Sequence, residues 1–184
     1  MSAAIASLST YDENSGDLLC VIETPKGSRN KYSFNEKLRV FELKKTLPRG
    51  MLFPYDFGFI PATAADDGDP LDALILLDEP APMGCVVRVR AIGAIEARQR
   101  EGKGEWMRND RLIAVAVHAK LHADVESLKD IKPRLIDEIE AFFRDYNEQE
   151  GKDFEALKRS GPKAAARLIE EAQQRRKSGG PQKD

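Results

Sequence analysis

Four aspartates fall within seven residues, and this spacing is the strongest chemical signal in the sequence. They are Asp66, Asp67, Asp69 and Asp72, separated by Gly68 and Pro70. A glycine permits a tight turn and a proline stiffens it, so the carboxylates need not point apart. Clustered carboxylates repel one another unless cations relieve them, and oxygen ligands without His or Cys select Mg²⁺, Mn²⁺ or Ca²⁺. The residues alone leave open an acidic solvent-facing loop and a divalent-metal site.

Basic side chains precede the acidic segment on predicted strands and turns. The set comprises Lys26, Arg29, Lys31, Lys44, Lys45 and Arg49. Taken singly, such residues are more often solvated surface side chains. Together with bound divalent cations, they would suit a small and highly charged phosphate compound.

The composition is that of a folded chain that is not embedded in a membrane. Its 184 residues are 33% charged and 41% hydrophobic, too apolar for disorder and too charged for a membrane protein. No apolar run approaches the roughly 18 residues of a membrane-spanning helix, so no membrane partner is expected. The first residues lack the features of a secretory signal. Cys20 and Cys85 are predicted to be buried free thiols in a reducing cytosol, which predicts a cytoplasmic protein.

The formal net charge of −2 is unevenly distributed. Residues 158–184 carry eight Lys and Arg against three Asp and Glu, so the remainder of the chain is acidic. A basic segment can contact nucleic acid or anionic lipid, but a solvated helix end is the commoner explanation. The acidic body argues against a nucleic-acid partner.

Short apolar or alternating segments dominate the first two thirds of the chain. Strands are predicted over residues 18–23, 32–34, 38–43, 73–77, 85–95 and 112–117. The turn at 25–28 predicts a hairpin between the first two strands. Several short strands separated by Gly and Pro turns favour a small antiparallel β-barrel.

The last third of the chain changes to a helical period. Apolar residues from Leu135 to Tyr146 share one helix face, with Asp130 as the cap and Gly151 as the stop. A second helix is predicted over 162–177, and residues 179–184 are predicted to be a disordered tail. The predicted fold class is α+β: one domain over 1–178, with a small antiparallel, OB-like β-barrel and C-terminal helices packed on it.

The segment that holds the aspartates resembles a family signature. DGDPLD at 67–72 follows FPYDFGFIP at 53–61, and together they resemble the signature of the family I soluble inorganic pyrophosphatases. Further matches follow in order: CVIETP at 20–25, NKY at 30–32, GCVVRVRAIG at 84–93, RLIAV at 111–115, IKP at 131–133 and FFRDY at 142–146. The resemblance spans roughly residues 18–150.

This resemblance implies a role for each matching position. Asp67, Asp69 and Asp72 fall on metal-binding aspartates, with Asp69 also the catalytic residue that helps activate the nucleophilic water. Glu23 falls on an active-site glutamate that supports the site. The implied substrate-binding residues are Lys31, Lys45, Arg111 and Tyr146. The implied cofactor is Mg²⁺, with Mn²⁺ as an alternative, and the implied assembly is a homo-oligomer.

Several positions depart from the family pattern. They are Ser33 for a glutamate, Lys45 for an arginine, Phe53 and Phe57 for tyrosines, and Arg111 and Asn147 for lysines. The segment 98–110 is predicted to be a longer and more basic loop. In it Asn109 aligns with a metal-binding aspartate, and Asp110 is the rival ligand one residue away.

Three functions therefore remain open. The first is Mg²⁺-dependent hydrolysis of inorganic pyrophosphate to two orthophosphates. The second is hydrolysis of another phosphoanhydride by a divergent member of the family. The third is a non-catalytic, oligomeric protein that binds metal ions or anions. The departures matter to this choice because each lost polar group could remove on the order of ten- to a thousand-fold in rate.

Overall fold

The computed structural model describes Ile5 and residues 7–179, whose sheet and helices share a continuous hydrophobic core. The strands are β1 (Leu18–Thr24), β2 (Asn30–Asn35), β3 (Val40–Thr46), β4 (Asp56–Phe59), β5 (Asp72–Leu76), β6 (Val86–Glu101), β7 (Met107–Arg108), β8 (Arg111–Ala116) and β9 (Lys152–Ser160). The helices are α1 (Pro133–Glu148) and α2 (Pro162–Lys177), and a 3₁₀ turn at Leu128–Asp130 precedes them.

Five of the strands close into a ring. Their order is β1-β4-β5-β8-β6, and β6 pairs back with β1. All neighbours in this ring are antiparallel except β5 and β8, which are parallel. The predicted α+β barrel with packed helices is confirmed, and the parallel pair is a feature that the strand pattern alone does not reveal.

β6 closes the ring by pairing with β1 and β8, and it also pairs with β7 and β9 outside the ring. Its register shifts between Ala91 and Gly93, where the strand bends. A Cβ at Gly93 would lie 2.4 Å from the carbonyl oxygen of Ser160 and 2.5 Å from Leu128 Cγ. Only glycine therefore allows β9 and the 3₁₀ turn to approach the bend this closely.

Two expected connections are wrong. β1 does not form a hairpin with β2; it is buried along its whole length and pairs with β4 and β6. β2 instead pairs with β3 in a separate two-stranded sheet. The segment 98–110 is not a loop either, because β6 continues to Glu101 and returns through Gly102 as β7.

The sequence pattern also fails to predict β9, which lies between the two helices and extends the sheet along β6. Its Phe154 and Ala156 pack against the core. On the other face, Asp153 and Glu155 form ion pairs with the arginines of β6. Alternation of this kind over a charged segment is a weaker signal than an apolar run.

The helices close one side of the barrel. α1 buries Ile136, Ile139 and Phe143, and α2 buries Ala165, Ile169 and Ala172. The predicted cap Asp130 does not cap α1: it completes a capping box with Ser127 at the 3₁₀ turn, and α1 begins at Pro133. No helix in the described part of the chain is long and apolar enough to cross a membrane.

Two smaller expectations have mixed outcomes. Cys20 is fully buried as predicted, but Cys85 is only partly buried; both are free thiols. Gly179 follows α2 with φ +69°, and the rest of the predicted tail, 180–184, lies outside the described residues.

Candidate active site

One pocket of about 200 Å³ collects most of the predicted site residues. Six carboxylates line it: Glu23, Glu36, Asp67, Asp69, Asp72 and Glu150. The cationic side chains that line it are Lys31, Arg111 and Lys152. The pocket is therefore acidic, and a strongly negative ligand could enter it only together with cations.

The acidic turn between β4 and β5 divides its aspartates between two surroundings. Gly68 has φ +84°, and its N–H donates to the carbonyl of Ala65 (3.1 Å), so the chain reverses there. Asp67, Asp69 and Asp72 then line the pocket, whereas Asp66 lies outside it. The interpretation of a purely solvent-facing acidic loop therefore does not describe Asp67, Asp69 and Asp72.

The basic segment of α2 fixes this turn from outside. Arg175 Nη2 lies 2.8 Å from Asp66 Oδ1, and Arg175 Nη1 donates to the carbonyl of Ala64 (2.7 Å). The backbone N–H of Ala64 also donates to the carbonyl of Ala172 (2.9 Å). At least part of the positive charge in residues 158–184 thus binds the protein's own acidic turn.

Glu23 and Lys31 meet at one wall of the pocket because β2 is held against the end of β1, where Tyr32 N donates to Thr24 Oγ1 (3.0 Å). Lys31 Nζ is 2.9 Å from Glu23 Oε2, and the backbone N–H of Phe34 donates to Glu23 Oε1 (2.7 Å). The Lys31 ammonium also lies 4.1 Å from the centre of the Phe57 ring. Both side chains are nearly buried, so the hydrogen bonds and the ring fix their positions.

Asp72 and Arg111 face each other at the floor because the parallel register pairs Ala73 with Leu112. Arg111 Nη1 lies 2.8 Å from Asp72 Oδ2. Burial raises the pKa of Asp72 to about 6, although the charges of Arg111 and Lys31 oppose that rise. The floor of the pocket is therefore a carboxylate–guanidinium pair in which Arg111 is nearly enclosed and Asp72 is partly exposed.

The structure brings Asn109, but not Asp110, to the pocket. Asn109 lines the pocket, and its Oδ1 accepts a hydrogen bond from Arg111 Nη1. Asp110, which lies with Asn109 in the short link between β7 and β8, does not line this pocket: its Oδ1 accepts hydrogen bonds from Ala97 N (2.9 Å) and Arg108 Nε (2.7 Å). The two neighbouring side chains therefore have different partners.

One wall of the pocket is aromatic, and it includes Phe53 and Phe57, the positions at which the family pattern has tyrosine hydroxyl groups. Its rings are Phe53, Phe57, Phe142, Phe143 and Tyr146, in successive contacts with centroids 5.2–6.4 Å apart. Burial raises the pKa of the Tyr146 hydroxyl well above its usual range. The predicted site residue Lys45 lies at the rim, with Nζ 3.6 Å from the Tyr146 centroid and an ion pair to Glu150.

Four further lining residues are not predicted from the sequence: Glu36, Gln99, Glu150 and Lys152. Glu150 and Lys152 flank Gly151, which the helical pattern marks only as a stop. Gln99 belongs to the part of β6 that was expected to be a loop. The signals that could have found them are the alternation along residues 152–156 and along 96–100.

The donor set fits a hard divalent cation, although it is not a ready-made coordination sphere. Asp67, Asp69 and Asp72 present carboxylate oxygens to one pocket, and such oxygens suit Mg²⁺ or Mn²⁺. Within Ile5 and residues 7–179, no three His, Cys, Asp or Glu side chains converge closely enough to hold a metal ion. Asp72 Oδ2 forms an ion pair with Arg111, and Asp67 Oδ1 accepts a hydrogen bond from the N–H of Asp69 (3.1 Å).

Fold and pocket together define an α+β barrel protein with an acidic site that contains fixed cations. The family model for inorganic pyrophosphatase matches residues 20–177. The inorganic pyrophosphatase of Nostoc sp. is 42% identical over 137 residues, covering 74% of this chain and 78% of the relative. That of Synechocystis sp. is 39% identical over 151 residues, covering 82% of this chain and 86% of the relative.

Solved structures agree with this result. The crystal structure of inorganic pyrophosphatase from Thermus thermophilus superposes with a TM-score of 0.84 at 30% identity, covering 94% of this chain and 98% of that one. The structure from Neisseria gonorrhoeae gives a TM-score of 0.82 at 28% identity, covering 93% and 97%. The chain belongs to the inorganic pyrophosphatase family, as the resemblance of its motifs indicates.

Proposed function

We propose that this protein hydrolyses inorganic pyrophosphate to two orthophosphates with the help of Mg²⁺. The observation that carries the proposal is the pocket in which Asp67, Asp69 and Asp72 lie beside Lys31 and Arg111. Acidic side chains can recruit divalent cations, and fixed cations can bind phosphate oxygens. Membership in the family gives the substrate class.

In this proposal Asp69 is the general base. It is exposed in the acidic turn, so water can reach its carboxylate. The water attacks one phosphorus and passes a proton to Asp69, while the bond from that phosphorus to the bridging oxygen breaks. The second phosphate leaves with the bridging oxygen, and the reaction yields two orthophosphates.

The fixed cations would orient the substrate and neutralise its charge. Lys31 and Arg111 line the pocket, and their acidic partners already fix both side chains. Binding of the substrate therefore costs little further loss of side-chain entropy. Lys45 at the rim, and Tyr146 beside it, would contact the outer phosphate. Glu23 acts through Lys31, whose ammonium it positions.

The proposed ligands of Mg²⁺ are Asp67, Asp69 and Asp72. When bound, Mg²⁺ supplies positive charge to the phosphate oxygens and makes the attacking water more acidic. Mn²⁺ has similar oxygen preferences and is the proposed alternative. Asn109 and Asp110 are not assigned to the ion, because Arg111 occupies the amide oxygen of one and Arg108 pairs with the other.

The experiment that tests this function measures orthophosphate release from pyrophosphate with Mg²⁺. Nucleoside triphosphates and inorganic polyphosphate serve as parallel substrates, and excess chelator serves as the metal-free control. Turnover of pyrophosphate well above the other compounds, lost on chelation, is the expected result. Preferred turnover of another compound would establish a divergent phosphoanhydride hydrolase, and no turnover at all would contradict the proposal.

We further propose that one domain over residues 1–178 assembles as a cytoplasmic homo-oligomer. Large apolar side chains are exposed on the single chain, including Leu121 at 78% and Leu38 at 63%. A second copy could cover such surface, and the two free thiols suit a reducing compartment. Light scattering coupled to size-exclusion chromatography tests the assembly, and a monomer near 20.5 kDa would contradict it.

A further inference from the structure

Arg111 places a permanent positive charge inside the cluster of carboxylates. Its guanidinium contacts Asp72 Oδ2 at 2.8 Å and bonds to Asn109 Oδ1, so one cation joins an oxygen at the start of β5 to an oxygen just before β8. The side chain is only 6% exposed, and its carbon Cζ lies 5.2 Å from the centre of the Phe143 ring. Arginine does not lose its proton in proteins, so this charge is present at every pH of interest.

The backbone around Arg111 prevents it from swinging away. The carbonyl oxygens of Asp110 (3.2 Å) and Asn109 (3.4 Å) also lie near Nη1, which shares its two hydrogens among these acceptors. Parallel pairing of β5 with β8 fixes the distance between Asp72 and Arg111, because both residues begin their strands. The pair is therefore part of the barrel rather than a mobile surface contact.

One nitrogen of the same group has no partner within the described part of the protein. Arg111 Nε is buried and has no hydrogen-bond partner among the described residues. Buried donors are normally satisfied, and an anionic oxygen in the pocket would satisfy this one. The guanidinium would then join an acidic side chain to a substrate oxygen, which is the arrangement that a bridging divalent cation provides.

We propose that the Arg111 guanidinium takes the place of one divalent cation between Asp72 and Asn109. This inference rests on the proposed metal-dependent function and concerns how many ions the pocket needs. A fixed cation on Asp72 Oδ2 and Asn109 Oδ1 repels a second cation between them, so Asp72 can bind an ion only through its other carboxylate oxygen. The neutral Asn109 fits that arrangement, because a carboxylate at this position would add charge that the single guanidinium cannot neutralise.

The test counts bound Mn²⁺ ions per chain by electron paramagnetic resonance of the free ion. The double variant Asn109→Asp/Arg111→Met removes the fixed cation and adds a carboxylate opposite Asp72. We expect it to bind one more Mn²⁺ per chain than the unmodified protein. As a matched control, Asn147→Asp adds the same charge to another buried amide of the pocket and should leave the count unchanged.

A second variant tests the inference even if the double variant does not fold. Arg111→Gln keeps a polar side chain and removes only the positive charge, so Mn²⁺ should bind about tenfold more tightly. Unchanged or weaker Mn²⁺ affinity in Arg111→Gln, or equal ion counts in a folded double variant, would overturn the inference while leaving the proposed function intact. If the unmodified protein binds no Mn²⁺ at millimolar concentration, the metal-dependent function fails together with it.

Discussion

Asp66 and Asp69 lie three residues apart in one turn, yet their surroundings predict opposite consequences of mutation. Asp69 lines the acidic pocket, while Asp66 points away and pairs with Arg175. Asp69→Asn should lower pyrophosphate turnover about a hundredfold or more, because the amide keeps the shape but cannot accept the proton. Asp66→Asn should stay within a few-fold of the unmodified rate.

The measurement is orthophosphate release at saturating Mg²⁺, with thermal melting to show that both variants are folded. Near-normal turnover in Asp69→Asn would remove that residue from its assigned role. Equal losses in the two variants would mean that the turn acts through its shape rather than through the base.

At the residue scale, the sequence predicts which side chains share the pocket better than how they pair. The short spacing of Asp67, Asp69 and Asp72 makes their proximity predictable, and Glu23 and Lys31 follow from the family motifs. The contact of Arg111 with Asp72 is not predictable in this way. It depends on the parallel register of two strands that are about forty residues apart in the chain.

α2 is the element that connects the far end of the sequence to the acidic turn. Arg175→Gln removes the ion pair to Asp66 and the hydrogen bond to the Ala64 carbonyl. A partly exposed pair contributes little to stability, so the melting temperature should fall by no more than about 4 °C. The Mg²⁺ concentration for half-maximal activity should rise about threefold, because the turn is less well fixed.

Lys177→Gln is the matched control for this prediction. It removes the same charge two residues further along α2, and no contact of Lys177 with the turn is among the described ones. Magnesium titration of both variants decides the outcome. An identical magnesium requirement in Arg175→Gln and the unmodified protein would show that the turn does not need the helix.

The bend of β6 gives a second prediction at the scale of elements. Gly93→Ala places a Cβ against the Ser160 carbonyl oxygen and the Leu128 side chain, so β9 must move away. We expect a loss of about 1–3 kcal/mol in the free energy of unfolding, measured by urea denaturation. Gly161→Ala is the control, since its added Cβ meets nothing within 4 Å; a neutral Gly93→Ala would contradict the proposed close packing.

Elements with a strong apolar pattern are predictable, and those without one are not. β1, β5 and β8 are apolar runs buried on both faces, and α1 repeats its buried residues every three or four positions. β9 carries five charged residues among nine, so its strand character depends on pairing with β6 rather than on its own composition. The hairpin of β6 and β7 is not predictable for the same reason, because its strand character also depends on pairing.

At the scale of the whole molecule, Mg²⁺ should stabilise the native barrel. An ion that binds only the folded chain adds about 2.7 kcal/mol at a hundred times its dissociation constant. For a chain of this length the melting temperature should then rise by roughly 5–10 °C. Differential scanning calorimetry with Mg²⁺, and with NaCl of equal ionic strength, measures the shift.

Asp67→Asn serves as the variant control for that measurement. Loss of one proposed ligand should reduce the shift, because the amide oxygen lacks the charge of the carboxylate. A melting temperature that does not respond to millimolar Mg²⁺ in the unmodified protein would argue against an ion in this pocket.

The contact between α2 and the acidic turn can form only late in the synthesis of the chain. Residues 66–72 are translated about a hundred residues before Arg175. Chains begin to fold from the N-terminal side during translation, so the ring of β1, β4, β5, β6 and β8 can form first. The turn still lacks the helix that fixes it at that stage. A nascent chain therefore gains its full capacity to act on pyrophosphate only after residue 175 has emerged.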